Sequence, residues 1–180
     1  MTPLEELAVK TAGGDRDAFA ELYRELLDPL FRYLYWSTGS REDAEDLTEE
    51  VFLKCLVNIA AFKPDRGPFK AWIFRIARNL LIDHQRRASR RKSEALGEEI
   101  DDGTEPLPQR LEEEERARAL RECLEALPST QKQVITMKYF AGMSNAEVAK
   151  ALGRSEGAVN ALQHRALRSL GKTLREIGWG

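Results

Sequence analysis

Residues 144–170, SNAEVAKALGRSEGAVNALQHRALRSL, constrain this chain more than any other stretch, because their spacing predicts two helices joined by a tight turn. Ala149 is small enough to let the first helix approach the second, Gly153 makes the turn, and Val159 locks the second helix inward. Ser144 and Glu147 have the spacing of a capping box. Ser155 stands where the second helix needs its N-cap, and that helix is expected to run to about Leu170. A helix presented this way suits the DNA major groove. An ordinary helical hairpin has the same spacing, but the basic outer face of the second helix favours DNA.

The rest of the chain also reads as helix. Phe19, Leu22, Tyr23, Leu26, Leu27, Leu30, Phe31 and Leu34 recur at three- and four-residue steps. After a turn at 37–41, a second helix from about Glu42 to Phe62 buries Ala44, Leu47, Val51, Cys55 and Ile59. KPDRGP at 63–68 is a breaker. A third helix spans about Phe69 to Arg91, with Trp72, Ile73, Ile76, Ala77 and Leu80 inward. Residues 93–111 lose all periodicity and read as a flexible acidic linker. Helices return at about Leu111–Leu127 and, after Pro128, at Ser129–Phe140. The expected fold class is therefore all-α. A three- to four-helix domain (1–92) and a helix-turn-helix domain (112–180) are joined by the 93–111 linker.

The net charge of −2 conceals strong segregation. Residues 1–68 carry −6, residues 69–92 +7, residues 93–115 −9 and residues 116–180 +6. Two basic blocks thus flank an acidic one, a distribution compatible with nucleic-acid binding. No apolar run is long enough to span a membrane, and MTPLEELAVK has no signal-peptide core, so a cytoplasmic location is expected. Cys55 and Cys123 occupy apolar helix positions, which suits buried free thiols better than a disulfide. No phosphate loop, nucleophile motif or metal-ligand cluster is present, so no catalytic residue, cofactor or metal is expected.

The first basic block has its own pattern. Arg75, Asn79, Asp83, Arg86 and Arg90 line one face of the third helix, with Arg78, Arg87, Arg91 and Lys92 beside and beyond it. Phe69 and Trp72 open the block. Aromatics stack on unpaired bases while arginines hold the backbone, as in a reader of single strands or melted duplex. Both aromatics are equally suited to the core. On the second helix, Asp43, Glu45, Asp46, Glu49 and Glu50 precede Phe52 and Leu56, read as semi-exposed beside the buried stripe. Such a face fits either solvent or a basic protein partner.

Taken in order, these segments resemble the extracytoplasmic-function group of sigma-70-type sigma factors. The likeness rests on DAFAELYRELLDPLFRYLYW (17–36), DAEDLTEEVFLKCL (43–56), FKAWIFRIARNLLIDHQRR (69–87) and the stretch from Leu127 to Leu170. It implies a non-enzymatic initiation factor that binds core RNA polymerase and recognises promoter DNA at its −35 and −10 elements. It further implies an anti-sigma factor as partner, no membrane insertion and a monomeric free chain. By resemblance, Asp43, Asp46, Glu49, Glu50 and Phe52 would contact polymerase. Phe69, Trp72, Arg75, Asn79, Asp83, Arg86 and Arg87 would lie at the −10 element, with Asn79 at the place associated with a flipped-out base. Ser155, Gly157, Asn160, Ala161, His164, Arg165 and Arg168 would sit at the −35 major groove.

The chain departs from the family at Glu49, where glutamine is usual. It departs again at Ala158, Asn160, Ala161 and Leu162, which replace threonine, lysine, serine and arginine. Fewer charges on the recognition helix imply an altered −35 readout. A stand-alone helix-turn-helix regulator is the alternative reading; it leaves the aromatic–arginine helix unexplained and predicts a dimer on a palindrome. Linker reach is at most about 60 Å at ~3.3 Å per residue, enough for both basic segments to engage one duplex. Opening ~12 base pairs costs about 17 kcal/mol at ~1.4 kcal/mol per step. Specific recognition supplies only about 4–10 kcal/mol, so a larger partner must contribute the remainder.

Overall fold

The computed structural model describes residues 1–94 and 108–178. Of the linker expected at 93–111, residues 95–107 lie outside the described residues, while 93–94 and 108–111 belong to helices and so narrow it at both ends. All regular structure among the described residues is helical, in agreement with the all-α expectation. Helix α1 (Pro3–Ala12) is additional to the sequence reading. It has Pro in its first turn, and the Thr2 N–H donates to Glu5 Oε2 at 2.8 Å.

Asp15 caps α2 (Arg16–Thr38) by accepting from the N–H groups of Asp17 and Ala18. Leu22, Leu26, Leu30, Tyr33 and Leu34 are buried along one face of α2. That apolar face carries the helix through Pro29, although an interior proline costs ~3 kcal/mol in isolation. Gly39, at φ 72°, ends α2, and Ser40 caps α3 (Arg41–Asn58). Ala44, Leu47, Val51, Cys55 and Ile59 are buried as expected, Ile59 in a short 3₁₀ turn that closes α3. A second 3₁₀ turn, Pro64–Arg66, leads to α4 (Phe69–Glu94).

The second half begins with α5 (Pro108–Glu125) and α6 (Ser129–Ile135), which widens into a π-helical turn at Thr136–Phe140. Then come α7 (Asn145–Leu152) and α8 (Glu156–Glu176), the latter about six residues longer than expected. Both cysteines are buried free thiols. Burial pushes the Cys55 thiol up to about 12 and also raises that of Cys123.

The apolar interior runs without a break from α2, α3 and α4 into Val134, Met137, Met143, Val148 and Val159. The two halves also cap each other's helices. Arg75 Nη2 on α4 donates to the Lys150 carbonyl in the last turn of α7 at 2.5 Å. In the reverse direction, Lys132 Nζ donates to the Ser37 carbonyl at 3.2 Å, and Arg121 Nη1 donates to that of Gly39 at 3.2 Å. Each cation thus meets the negative end of a helix in the other half, where unpaired carbonyls collect. Trp36 and Phe140 stack across the same seam with ring centres 4.6 Å apart.

Candidate nucleic-acid interface

Local chemistry sets up the α7–α8 pair as the spacing predicted. Ser144 Oγ accepts from the Glu147 N–H at 3.1 Å, and the Glu147 carboxylate accepts from the Ser144 N–H at 2.8 Å. Gly153 takes the left-handed conformation at φ 62°, and Ser155 Oγ accepts from the Ala158 N–H at 3.1 Å. Ala149 and Val159 are buried between the helices. Ser155, Gly157, Asn160, Ala161, His164, Arg165 and Arg168 are all exposed, so the seven expected groove residues share the outer side of α8. Arg168 Nη2 donates to His164 Nε2 at 3.2 Å.

A polar network behind that face carried no spacing signal in the sequence. Asn145 donates to Asn160 Oδ1 and, at 2.9 Å, to Gln163 Oε1. Gln163 in turn donates to the Tyr139 hydroxyl at 2.9 Å, and Lys138 Nζ donates to Asn145 Oδ1 at 2.6 Å. The π-helical turn brings Lys138 and Tyr139 to this network, which fixes α8 against α7.

On α4, Arg75, Asn79, Asp83, Arg86, Arg87 and Arg90 are exposed, while Ile73, Phe74, Ala77, Leu80 and Leu81 form the opposite, buried face. Trp72 is half-buried. Together with Phe62, Lys63, Arg66, Arg75 and Lys150 it lines a cleft of about 200 Å³. A neighbouring hollow of about 320 Å³ lies between Trp72, Arg75, Asn79 and Asn58. Phe69 corrects the sequence reading, since it is fully buried. Its ring stacks on Trp72 with centres 5.5 Å apart and meets Phe62 edge-on at 5.0 Å, so it backs the cleft and cannot stack on a base.

The acidic face of α3 requires a second correction. Phe52, expected to be semi-exposed, is only 5% exposed and packs on Tyr23 with centres 4.6 Å apart, and on Phe19. The exposed apolar residues are its neighbours Leu53, Leu56 and Val57, and Val57 is 81% exposed. Asp46 and Glu49 are exposed and Glu50 is half-exposed beside them. Asp43 faces α4, where its Oδ2 lies 3.3 Å from His84 Nε2. The molecular surface on α3 is thus an apolar knob with acidic neighbours.

Comparison with known proteins gives this geometry its context. The Sigma-70 region 2 family profile matches residues 22–91 and the Sigma-70, region 4 profile matches residues 117–170. The chain is 37% identical over 172 residues to the ECF RNA polymerase sigma factor BldN of Streptomyces coelicolor. That match covers 94% of this chain but only 65% of BldN. It is 32% identical to SigL of Mycobacterium tuberculosis, with 87% of this chain and 89% of SigL covered. For SigW of Bacillus subtilis the identity is 30%, with 91% and 92% covered. Among solved structures, CnrH in complex with the cytosolic domain of CnrY superposes with a TM-score of 0.76 at 25% identity, covering 97% of this chain and 99% of that one. RpoE of Bartonella quintana, solved with the anti-sigma factor NepR, shares the fold with a TM-score of 0.67 at 20% identity, over 87% of this chain and 96% of that one. With exposed cationic helices in both matched regions and near full-length agreement with SigL and SigW, the chain belongs to the ECF RNA polymerase sigma factors.

Proposed function

We propose that this chain is a promoter-specificity factor that recruits core RNA polymerase and engages promoter DNA with two separate helical segments. The observation that carries the reading is the pairing of two exposed cationic helix faces, on α4 and α8, whose opposite sides are buried. Residues 1–92 would dock polymerase and read the −10 element, 112–180 would read the −35 element, and 93–111 would tether them. Trp72, Arg75, Asn79, Asp83, Arg86 and Arg87 serve the −10 contact, with the cleft beside Trp72 or the hollow at Asn79 receiving an unstacked base. Ser155, Gly157, Asn160, Ala161, His164, Arg165 and Arg168 serve the −35 groove.

Polymerase docking falls to the knob Leu53, Leu56 and Val57, with Asp46, Glu49 and Glu50 around it. The factor acts in the cytoplasm as a non-enzymatic monomer, and no helix of the described residues is long and apolar enough to cross a membrane. An anti-sigma factor is a fitting partner, since RpoE was solved bound to the anti-sigma factor NepR and CnrH was solved bound to the cytosolic domain of CnrY.

The test is transcription in vitro with core polymerase on a pool of genomic promoters. Asn79→Ala is expected to impair opening more than closed-complex binding, and Arg165→Ala to weaken upstream binding. If both variants transcribe like the wild type on every template, the site assignments fail.

A further inference from the structure

Helix α4 begins without a cap of its own. Its first residue, Phe69, follows Pro68, whose carbonyl accepts the Trp72 N–H at 3.2 Å but whose ring offers no side-chain oxygen to the first turn. The missing acceptor comes from elsewhere in the chain. Glu5 Oε1, on α1, accepts the Phe69 N–H at 2.7 Å, a bond between residues 64 positions apart. Glu5 Oε2 accepts from the Thr2 N–H and touches the Thr2 hydroxyl.

Glu5 is only 6% exposed, and no cation of the described residues pairs with its carboxylate. A buried carboxylate without a counter-ion needs strong donors; here they are a helix-terminal N–H, aided by the positive end of α4, and the start of α1. Leu4, Leu7 and Ala8 also pack α1 onto the core, so Glu5 adds a polar tie to an attachment that apolar contacts share.

What Glu5 fixes is the root of the cleft. Phe69 is fully buried under Trp72, and Phe62 closes the trio with its ring centre 5.7 Å from that of Trp72. The Arg66–Pro68 loop has Glu5 on one side and the Trp72 cleft on the other. A shift of the Phe69 backbone therefore moves Trp72 one turn later. We propose that Glu5 is a positioning residue for promoter opening: it anchors the start of α4 from α1 and so holds the Phe62–Phe69–Trp72 unit in register for an unstacked base. This rests on the −10 reading of α4 given above.

The test uses the full chain with core polymerase and a promoter carrying 2-aminopurine in its −10 element, whose fluorescence rises on unstacking. Binding to a duplex bearing only the −35 element is measured in parallel. Glu5→Ala is expected to lower opening by about tenfold, the scale of a lost hydrogen bond to a charged group, and to leave −35 binding unchanged. Glu5→Gln, which keeps an acceptor oxygen, is expected to recover most of that loss and supplies the readout should Glu5→Ala fold poorly. In a Trp72→Ala background, Glu5→Ala should add less than about twofold. Multiplying effects of the two substitutions, or equal losses of opening and −35 binding, would overturn the proposal while leaving the −10 reading intact. Wild-type opening by Trp72→Ala alone would overturn that reading and the role of Glu5 with it.

Discussion

At the residue scale, adjacent side chains on α3 do opposite work. Phe52 fills the space between Phe19 and Tyr23, whereas Leu53 points outward at 65% exposure. Phe52→Ala should cost about 3–5 kcal/mol in urea unfolding, as large-to-small core changes do. Leu53→Asp should alter stability by no more than about 0.5 kcal/mol, yet reduce retention of the chain on immobilised core polymerase. Equal retention of the Leu53→Asp variant would remove the apolar knob from the docking surface. Cys55 makes a separate, pH-dependent contribution. Its thiol rises from 9.0 to about 12 in the folded chain, so between those values the native state holds a proton that the unfolded state releases. Stability from this group is complete below pH ~9 and declines as pH climbs toward ~12. Urea midpoints should fall over that interval less steeply for Cys55→Ala than for the parent, and native Cys55 should resist alkylation at neutral pH.

At the scale of elements, the helix-turn-helix was fully legible because its signals are local. Ser144, Glu147, Gly153 and Ser155 each act within three or four residues, and each makes the contact its spacing implied. Gly153 gives a clean check. A Cβ there would meet nothing within 4 Å, so Gly153→Ala should cost only the left-handed backbone penalty, about 1–2 kcal/mol by calorimetry. Other elements hid for physical reasons. Helix α3 carries Val51, Phe52, Leu53, Leu56 and Val57 around most of its girth, so periodicity placed Ala44, Leu47, Val51, Cys55 and Ile59 inward but could not tell that Phe52 joins them. Helix α1 went unread although Thr2, Pro3 and Glu5 carry the local signals of a helix start, because it is short and also stands on contacts with α2 and α4 that lie far along the chain. The π-helical turn at 136–140 depends on packing against α2 and has no marker of its own.

At the scale of the molecule, the reading of two tethered halves did not anticipate how closely they pack. Cations that meet carbonyls of another helix follow no sequence spacing, so Arg75, Arg121 and Lys132 gave no hint of the seam. Helix-end contacts of this type are worth about 0.3–1 kcal/mol each and are screened by salt. Dyes attached through Arg24→Cys and Lys172→Cys should therefore report close halves in the free chain at low salt. Transfer efficiency should drop in Trp36→Ala, which removes the stack on Phe140, and when core polymerase is added. It should drop only slightly in roughly 1 M salt, which screens the helix-end contacts and leaves the shared apolar interior in place. Constant efficiency in all three would show that the halves never part. The contact between Arg75 and Lys150 carries a further implication. On the proposed −10 reading, the Lys150 carbonyl takes up one edge of a guanidinium that has five N–H donors. Closure would thus withdraw part of Arg75 from a promoter phosphate and set the two associations in partial competition. Thermodynamic reciprocity then applies: whatever factor closure subtracts from promoter affinity is the factor by which the promoter drives separation, with each tenfold equivalent to about 1.4 kcal/mol.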